Sequence, residues 1–145
     1  MQQKSRERRV WDLSALRSTL KANDDRIVDS HLIDDTLLLV KVFSSGREVV
    51  EKLVIDPRLS GLPILAVVSE DVDIHDKESY IWGVFTRFDC ERDVVFTETK
   101  LVGISPLYNG VMGIDATWKP GYPEPLLMTD EIVKRVDEKW GKIWK

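Results

Sequence analysis

The sequence predicts a small α/β domain in which helices cover both faces of a mostly parallel sheet, giving three layers. Apolar runs of strand length, such as 36–43 and 64–68, alternate along the chain with segments whose apolar residues recur at helical spacing. This alternation is typical of parallel sheets, because successive parallel strands need a crossover that is usually a helix. A chain of 145 residues is long enough for one such core.

The fold is predicted to begin with a helical prefix. Asp12 can cap a helix over residues 13–22, in which three leucines share one face: Leu13, Leu16 and Leu20. The basic head before it is typical of a solvated terminus, with docking onto an acidic partner surface as the alternative. Its cations are Lys4, Arg6, Arg8 and Arg9. We therefore divide the chain into a basic N-terminal segment with a helix, 1–33, and an α/β domain, 34–145.

Two strands and one helix are predicted next. The segment 36–43 is apolar almost without alternation, as expected of a strand that is covered on both faces. A Ser-Ser-Gly turn then leads into a helix over 47–55, and Pro57 ends that helix because the residue before a proline avoids the helical conformation. A second buried strand follows over 63–69.

The second half of the chain gives a weaker pattern. Asp76 can cap a helix that reaches about Phe85, and 93–98 has the β-branched composition of a third core strand. Residues 100–125 are rich in Gly and Pro and have no clear period, so we expect a long surface excursion there. The last element is an amphipathic helix over 129–142, whose apolar face carries Ile132, Val136, Trp140 and Ile143.

Composition and charge exclude several classes of function. The net charge of -4 argues against general nucleic-acid binding, which needs a basic footprint. The apolar runs are far below membrane-spanning length, and no apolar segment follows the polar N-terminus, so neither membrane insertion nor secretion is expected. One cysteine, Cys90, allows no internal disulfide and fits a reducing compartment. We expect a cytoplasmic protein.

The acidic segment 70–76 is the first candidate site, because it follows a buried strand, where open α/β sheets bind their ligands. Its carboxylates are ligands of the kind that Mg²⁺, Ca²⁺ and Mn²⁺ prefer. It lacks EF-hand spacing, however, and aspartates at a strand end also satisfy turn amides and cap the next helix. We predict this structural role and assign no metal ligand. A self-contained metal-dependent enzyme built on this segment ranks last.

The remaining candidates do not form an active site either. His31 and His75 lie far apart in the sequence and are predicted to be solvated loop residues. Cys90 has acidic neighbours and no identifiable base, which argues against a nucleophile. Arg87 is predicted to be a structural clamp at the end of its helix. Its candidate partners are Asp73, Asp89 and Asp93. We assign no catalytic residue.

Five tryptophans are many for a chain of this length. Large aromatic side chains are favoured at the centres of interfaces, and they are also common in cores. We predict a core position for Trp82. We assign Trp118, Trp140 and Trp144 to an interface, with a core position as the open alternative.

An ordered set of motifs connects the chain with a known family. The set comprises the strand 37–42, the acidic 69–73, Ile81-Trp82-Gly83-Val84-Phe85-Thr86-Arg87, Arg92-Asp93-Val94-Val95 and Met112-Gly113-Ile114-Asp115-Ala116-Thr117. In this order and at these spacings, the motifs resemble the C-terminal domain of the UbiD family. Members of that family add or remove CO₂ at aromatic and unsaturated carbons with prenylated flavin mononucleotide. The resemblance covers about residues 36–144.

The resemblance implies a domain without the family's catalytic machinery. In full-length members the flavin site, its metal ligands and the catalytic Arg and Glu residues lie in a larger N-terminal portion, to which nothing in this sequence corresponds. The C-terminal domain supports oligomerisation and commonly contributes a lysine to the cofactor site. Ile64 stands at the position of that lysine, and Val111 stands where relatives often have a basic residue. Because isoleucine cannot hold a phosphate, we expect this chain alone to bind no cofactor.

Two functions of different classes follow from the resemblance. The first is an accessory subunit, without flavin, of a multi-subunit UbiD-like carboxylase or decarboxylase that acts on aromatic or unsaturated acids. A larger UbiD-like partner would then hold the prenylated flavin mononucleotide. The second is a stand-alone, non-catalytic oligomerisation or binding module. Either implies a hetero-oligomer or a homo-oligomer. Catalysis by this chain alone is not expected, because a carbanion sink needs a cofactor in a sizeable, enclosed pocket.

Overall fold

A computed structural model of the chain describes residues 9–122 and 128–143. This part of the chain contains four α-helices and five strands, which confirms the α/β class. The helices are α1 (Leu13–Asn23), α2 (Gly46–Val54), α3 (Lys77–Phe85) and α4 (Asp130–Ile143). The strands are β1 (Ile27–Ile33), β2 (Leu37–Val42), β3 (Ile64–Ser69), β4 (Val94–Val102) and β5 (Ser105–Ala116). None of the helices in the described ranges has the length and apolar character needed to cross a membrane.

The five strands form one mixed sheet in the order β1-β2-β3-β5-β4. Its centre is parallel, since β3 pairs in parallel with both β2 and β5. Each flank is an antiparallel pair, β1 with β2 at one edge and β4 with β5 at the other. The carboxyl ends of the three parallel strands therefore lie side by side at one end of the sheet.

Helices cover both faces of this sheet, as predicted for a three-layer domain. Side chains of α1 and α2 pack on one face, with Leu20 and Leu53 fully buried. On the opposite face, Val84 of α3 packs in a second core. Because successive strand residues point to opposite faces, Val67 of β3 belongs to the first core and Ala66 to the second.

Local sequence signals set the helix boundaries. The Asp12 side chain accepts hydrogen bonds from the Ser14 and Ala15 amides at the start of α1, and Asp76 accepts one from the Ser79 amide at the start of α3. These carboxylates satisfy N–H groups that have no partner inside the helix. The predicted bounds of α1, α2 and α4 agree with the observed ones to within one residue at each end.

The third core strand was predicted in the wrong place. Residues 94–98 do lie in a strand, but β4 is an edge strand that pairs antiparallel with β5. The third central strand is β5, inside the segment 100–125 that we predicted to be a surface excursion. Gly110 has φ +80° at a point where one residue of β4, Thr97, faces two of β5, so a bulge interrupts the alternation there. Because of this bulge and Pro106, the sequence of β5 does not show the alternation of apolar and polar residues that would mark a strand.

The strand β1 was also missed by the sequence analysis. Its polar residues Asp29, Ser30 and His31 interrupt the apolar pattern that would mark a strand. It lies inside the predicted N-terminal segment and pairs with β2, so the sheet extends across residue 33. The division of the chain into 1–33 and 34–145 stays a prediction.

Two buried carboxylates hold the ends of α1 and α2 in place. Asp24 follows α1 and accepts two bonds from the Arg26 guanidinium, at 2.7 and 2.8 Å. Asp56 follows α2 and accepts from Arg58 at 2.7 Å and from the Asn23 amide at 2.8 Å. The bonds from Arg26 hold the pKa of Asp24 well below its ordinary range, and those from Arg58 lower the pKa of Asp56 to about 2.

We therefore expect the free energy of unfolding to fall between about pH 4 and pH 2. A carboxyl group whose pKa is lowered by folding contributes stability above its ordinary pKa of 3.8, and this contribution is lost as the pH falls through the folded value. After allowance for solvent screening, the loss for Asp24 and Asp56 together is about 2 kcal/mol. Urea unfolding across this range measures the loss. Asp56→Asn keeps a capping side chain that does not titrate, so its stability should fall less; an equal fall would contradict the assignment.

Candidate functional site

An open cleft of about 520 Å³ lies at the carboxyl ends of the three parallel strands. Its walls come from Gly46 and Arg47 at the start of α2, from Arg92 and Asp93 before β4, and from residues that follow β5. Open α/β sheets bind ligands at this end, so the cleft is the first place to look for chemistry.

The floor of the cleft is the contact between α2 and the end of β5. Asp115 is buried, and its Oδ1 accepts hydrogen bonds from the Thr117 amide at 3.1 Å and the Thr117 hydroxyl at 2.6 Å. A Cβ on Gly46 would lie 2.4 Å from Thr117 Cγ2 and 2.6 Å from Asp115 Oδ1. Only glycine therefore lets the start of α2 approach these two residues, and space for a ligand is absent at this point.

A polar network crosses the cleft. Lys119 Nζ donates to the backbone oxygens of Asp115 at 2.8 Å and of Arg87 and Thr117 at 3.2 Å each. The Tyr122 hydroxyl donates to Asp93 Oδ2 at 2.7 Å. Burial alone would raise the pKa of Asp93, but this hydrogen bond and nearby charges bring it below its ordinary value; the same contact raises the pKa of Tyr122.

The other cations of the cleft are also engaged by the protein. Arg47 donates to the Arg92 backbone oxygen at 2.6 Å and forms an ion pair with Glu51 at 2.6 Å. Arg92 donates to the Tyr122 hydroxyl at 3.1 Å. The arrangement joins loops that are distant in sequence. We interpret the cleft as a structural junction.

The acidic segment has the structural role that its sequence predicts. Asp73 accepts a hydrogen bond from the His75 amide at 2.9 Å, and Asp76 caps α3. Asp71 forms two parallel bonds with the Arg87 guanidinium, at 2.6 and 2.8 Å. Within residues 9–122 and 128–143, no group of three His, Cys, Asp or Glu side chains is placed to hold a metal ion.

Arg87 is a structural clamp, but its partner differs from the three that we predicted. The side chain is 1% exposed and pairs with Asp71, which is 47% exposed. Its guanidinium also lies 5.2 Å from the Trp82 ring centroid, at cation–π distance. The pKa of Asp71 is lowered by this pairing. Asp71 was not predicted because only the fold brings the strand-end loop back to the end of α3.

The two histidines lie next to each other. His31 is a half-buried residue of β1 and not a loop residue, and its ring centroid is 4.8 Å from that of His75. His75 does lie in a loop, where its Nε2 is 2.9 Å from Asp29 Oδ2. This contact could not be predicted from the sequence, because the hairpin β1–β2 and the loop after β3 come together only in the folded sheet.

Ile64 and Val111 lie near the amino ends of the parallel strands, away from the cleft. Ile64 is the first residue of β3, between Leu37 and Met112 in the register. Val111 is 4% exposed, in the core beneath α2. Both side chains contribute to packing, and neither can supply the charge that the family resemblance associates with these positions.

The tryptophans divide differently from the prediction. Trp82 is 43% exposed, so its predicted core position is wrong; the ring lies against Arg87 at the surface. Trp11, to which no role was assigned, is the buried one among the four tryptophans in the described ranges. Trp118 and Trp140 are exposed. Trp144 lies outside the described residues.

The motifs that carry the family resemblance contact one another in the fold. Asp71 of one motif binds Arg87 of the next, and a Cβ on Gly83 would lie 2.6 Å from Val72. The Asp115 amide donates to the Asp93 backbone oxygen at 2.8 Å. These contacts define a class of protein: a small α/β scaffold domain whose characteristic residues hold its own loops together.

Comparison with known proteins identifies this scaffold. Residues 41–116, more than half of the chain, match the family model of the 3-octaprenyl-4-hydroxybenzoate carboxy-lyase C-terminal domain. The chain belongs to the UbiD family through this domain.

Its relatives are much longer proteins. An uncharacterised protein of Archaeoglobus fulgidus is 38% identical over 98 residues, and one of Aeropyrum pernix is 32% identical over 98 residues. Each alignment covers 59% of this chain and 20% of the relative. The chain thus spans about a fifth of the relatives that it matches.

Solved structures share the fold. The vanillic acid decarboxylase of Sedimentibacter hydroxybenzoicus aligns with a TM-score of 0.60 at 23% identity, over 89% of this chain and 31% of that one. HmfF of Pelotomaculum thermopropionicum, in complex with FMN, aligns with a TM-score of 0.61 at 19% identity, over 83% and 30%. At these identities the likeness is one of fold.

Proposed function

We propose that this chain is an accessory subunit, without flavin, of a multi-subunit UbiD-like carboxylase or decarboxylase acting on aromatic or unsaturated acids. A larger UbiD-like chain would bind the prenylated flavin mononucleotide and carry out the chemistry. A cytoplasmic location is part of the proposal. The observation that carries it is the exposed apolar face of α4.

This face repeats at helical spacing. Ile132 is 45% exposed, Val136 is 44% exposed and Trp140 is 61% exposed, at successive intervals of four residues. Val133 beside them is 39% exposed. A large apolar side chain contributes about 1.5–3 kcal/mol when it is buried, so a stripe of this size favours association. We assign the stripe, together with Trp118 and Trp144, to the contact with the catalytic subunit.

Two further observations support a separate catalytic partner. The cleft is open and its polar groups bond to one another, and both faces of the sheet carry packed cores, so neither place encloses a flavin and a substrate. Among the solved relatives, the Sedimentibacter hydroxybenzoicus enzyme is named with two components, as VdcCD. A protein with this fold is therefore named as part of a two-component enzyme, which is the kind of assembly that we propose for this chain.

We predict that the purified chain alone contains no flavin. Its apolar Ile64 and Val111 offer no phosphate or metal contact at the positions that the resemblance points to. The visible absorption spectrum of the pure protein, before and after incubation with FMN and desalting, measures this. Flavin absorbance in proportion to the chain would contradict the proposal.

Co-purification tests the subunit function itself. A tagged chain expressed in its native source is expected to recover a larger UbiD-like polypeptide, identified by mass spectrometry of the eluate. Recovery of the chain without such a polypeptide would favour the second candidate, a stand-alone oligomerisation or binding module. In that module the exposed stripe of α4 would contact another copy of the same chain or a bound partner of another kind.

A further inference from the structure

The outer edge of β4 is the second surface that is built for association. β4 is the last strand of the sheet, and its residues from 97 to 102 are all exposed. β3 supports β5 only over residues 112–116, so the distal half of the β4–β5 hairpin extends beyond the rest of the sheet. A two-stranded hairpin is marginally stable in water without further packing.

Apart from the charged residues Glu98 and Lys100, this edge lacks the features that usually prevent strand pairing. β4 has nine residues and no proline, and the bulge of the hairpin lies on β5 at Gly110, so β4 itself stays regular. The hairpin also exposes apolar side chains, with Leu101 75% and Ile104 99% exposed. A long, regular edge that ends in exposed apolar residues is the kind on which another strand adds.

The sequence of β4 is complementary to itself. When two copies of a strand pair antiparallel about a two-fold axis, the axis passes through one residue, which faces its own copy. With Thr99 on the axis, Glu98 of each copy faces Lys100 of the other, which gives two cross-strand ion pairs around a Thr–Thr pair. Val102 then faces Phe96 of the other copy, so the apolar end of β4 in one copy lies against the apolar start of β4 in the other.

Neighbouring registers are disfavoured. An axis at Glu98 would place two glutamates opposite each other, and an axis at Lys100 would place two lysines opposite each other. An axis at Thr97 would put Glu98 against Phe96 and leave the charges unmatched. Lys100, which would oppose pairing with an unrelated strand, is neutralised only in the Thr99 register.

We infer that two copies of this chain associate through β4, antiparallel about Thr99, to form one continuous ten-stranded sheet. The contact is isologous, because each copy contributes the same surface. It uses the sheet edge and not α4, so it goes beyond the subunit function proposed above and does not depend on it. The assembly would then display two α4 helices.

Charge reversal tests the register. The wild-type chain is expected to be a dimer by sedimentation equilibrium, and Glu98→Lys or Lys100→Glu alone should raise the dimer dissociation constant at least about tenfold by placing like charges opposite each other. The double variant restores both pairs with reversed sign and should return the constant to within about threefold of wild type. Both residues are exposed, and far-UV circular dichroism checks that each variant folds.

Cross-linking gives an independent readout. In a Cys90→Ser background, Thr99→Cys places two sulfurs on the axis, with Cα atoms about 4.5–5.5 Å apart, which suits a disulfide. Leu101→Cys is the matched control, since its copies would lie roughly 13 Å apart. Oxidation should cross-link the first and not the second.

Three results would overturn the inference: a monomeric wild type, no rescue by the double charge reversal, or cross-linking that does not distinguish residues 99 and 101. None of them bears on recovery of a UbiD-like partner, so this inference and the proposed function fail separately.

Discussion

Replacement of Asp71 by alanine is expected to lower the free energy of unfolding by about 3 kcal/mol. Arg87 is 1% exposed, and Asp71 is the carboxylate that neutralises it through two short hydrogen bonds. Without Asp71 the guanidinium stays buried and uncompensated, a change that costs about 3–5 kcal/mol for a fully buried pair. We take the lower end because Asp71 itself is about half exposed. Urea unfolding at neutral pH measures the loss.

The matched control is Glu51→Ala, which removes the partner of an exposed arginine. Arg47 and Glu51 form an i,i+4 pair in which both side chains are about half exposed. Such pairs contribute about 0.3–0.5 kcal/mol, so this variant should stay close to wild type. Equal losses for the two variants would show that the Asp71–Arg87 pair has no special role in the fold.

Truncation after Met128 is expected to abolish assembly with the catalytic subunit and to leave the domain folded. The described side chains of α4 are exposed, and the two buried cores consist of residues between 11 and 116. Removal of α4 should therefore cost little core stability, while the stripe that we assign to the partner is lost. Co-purification of the partner and thermal unfolding of the truncated chain measure the two effects separately.

Point variants refine this test. Val136→Asp places a charge within the apolar stripe and should prevent recovery of the partner, whereas Lys139→Ala leaves the stripe intact and should not. A truncated chain that no longer unfolds cooperatively would show that α4 belongs to the core of its own domain and would exclude the docking role.

Much of this fold could be predicted, because the signals that define it are local. Asp12 and Asp76 mark the helix starts, because their side chains cap amides of the next few residues. The almost entirely apolar run at 37–42 indicates a strand that is covered on both faces. Both strands that were missed lack such signals. β5 is interrupted by Pro106 and Gly110, and only its neighbours β3 and β4 make it a strand.

The candidate site was harder to predict than the fold, because its contacts join residues that are distant in the sequence. The sequence marked Arg87 as a clamp from its position at a helix end, but its partner comes from the loop after β3. His31 and His75 were predicted to be solvated loop residues, and the sheet brings their rings together. Trp82 was assigned to the core by residue type, although the ring is exposed and lies at cation–π distance from the buried Arg87. Residue type and spacing do not specify which loops meet.

Native mass spectrometry of the assembly purified through this chain tests the central claim most directly. We expect a complex that contains a larger UbiD-like polypeptide in a fixed ratio. On dissociation, the mass of the flavin should stay with the larger polypeptide, and this chain should appear without it. Flavin mass on this chain, or a spectrum that contains only multiples of this chain, would contradict the account.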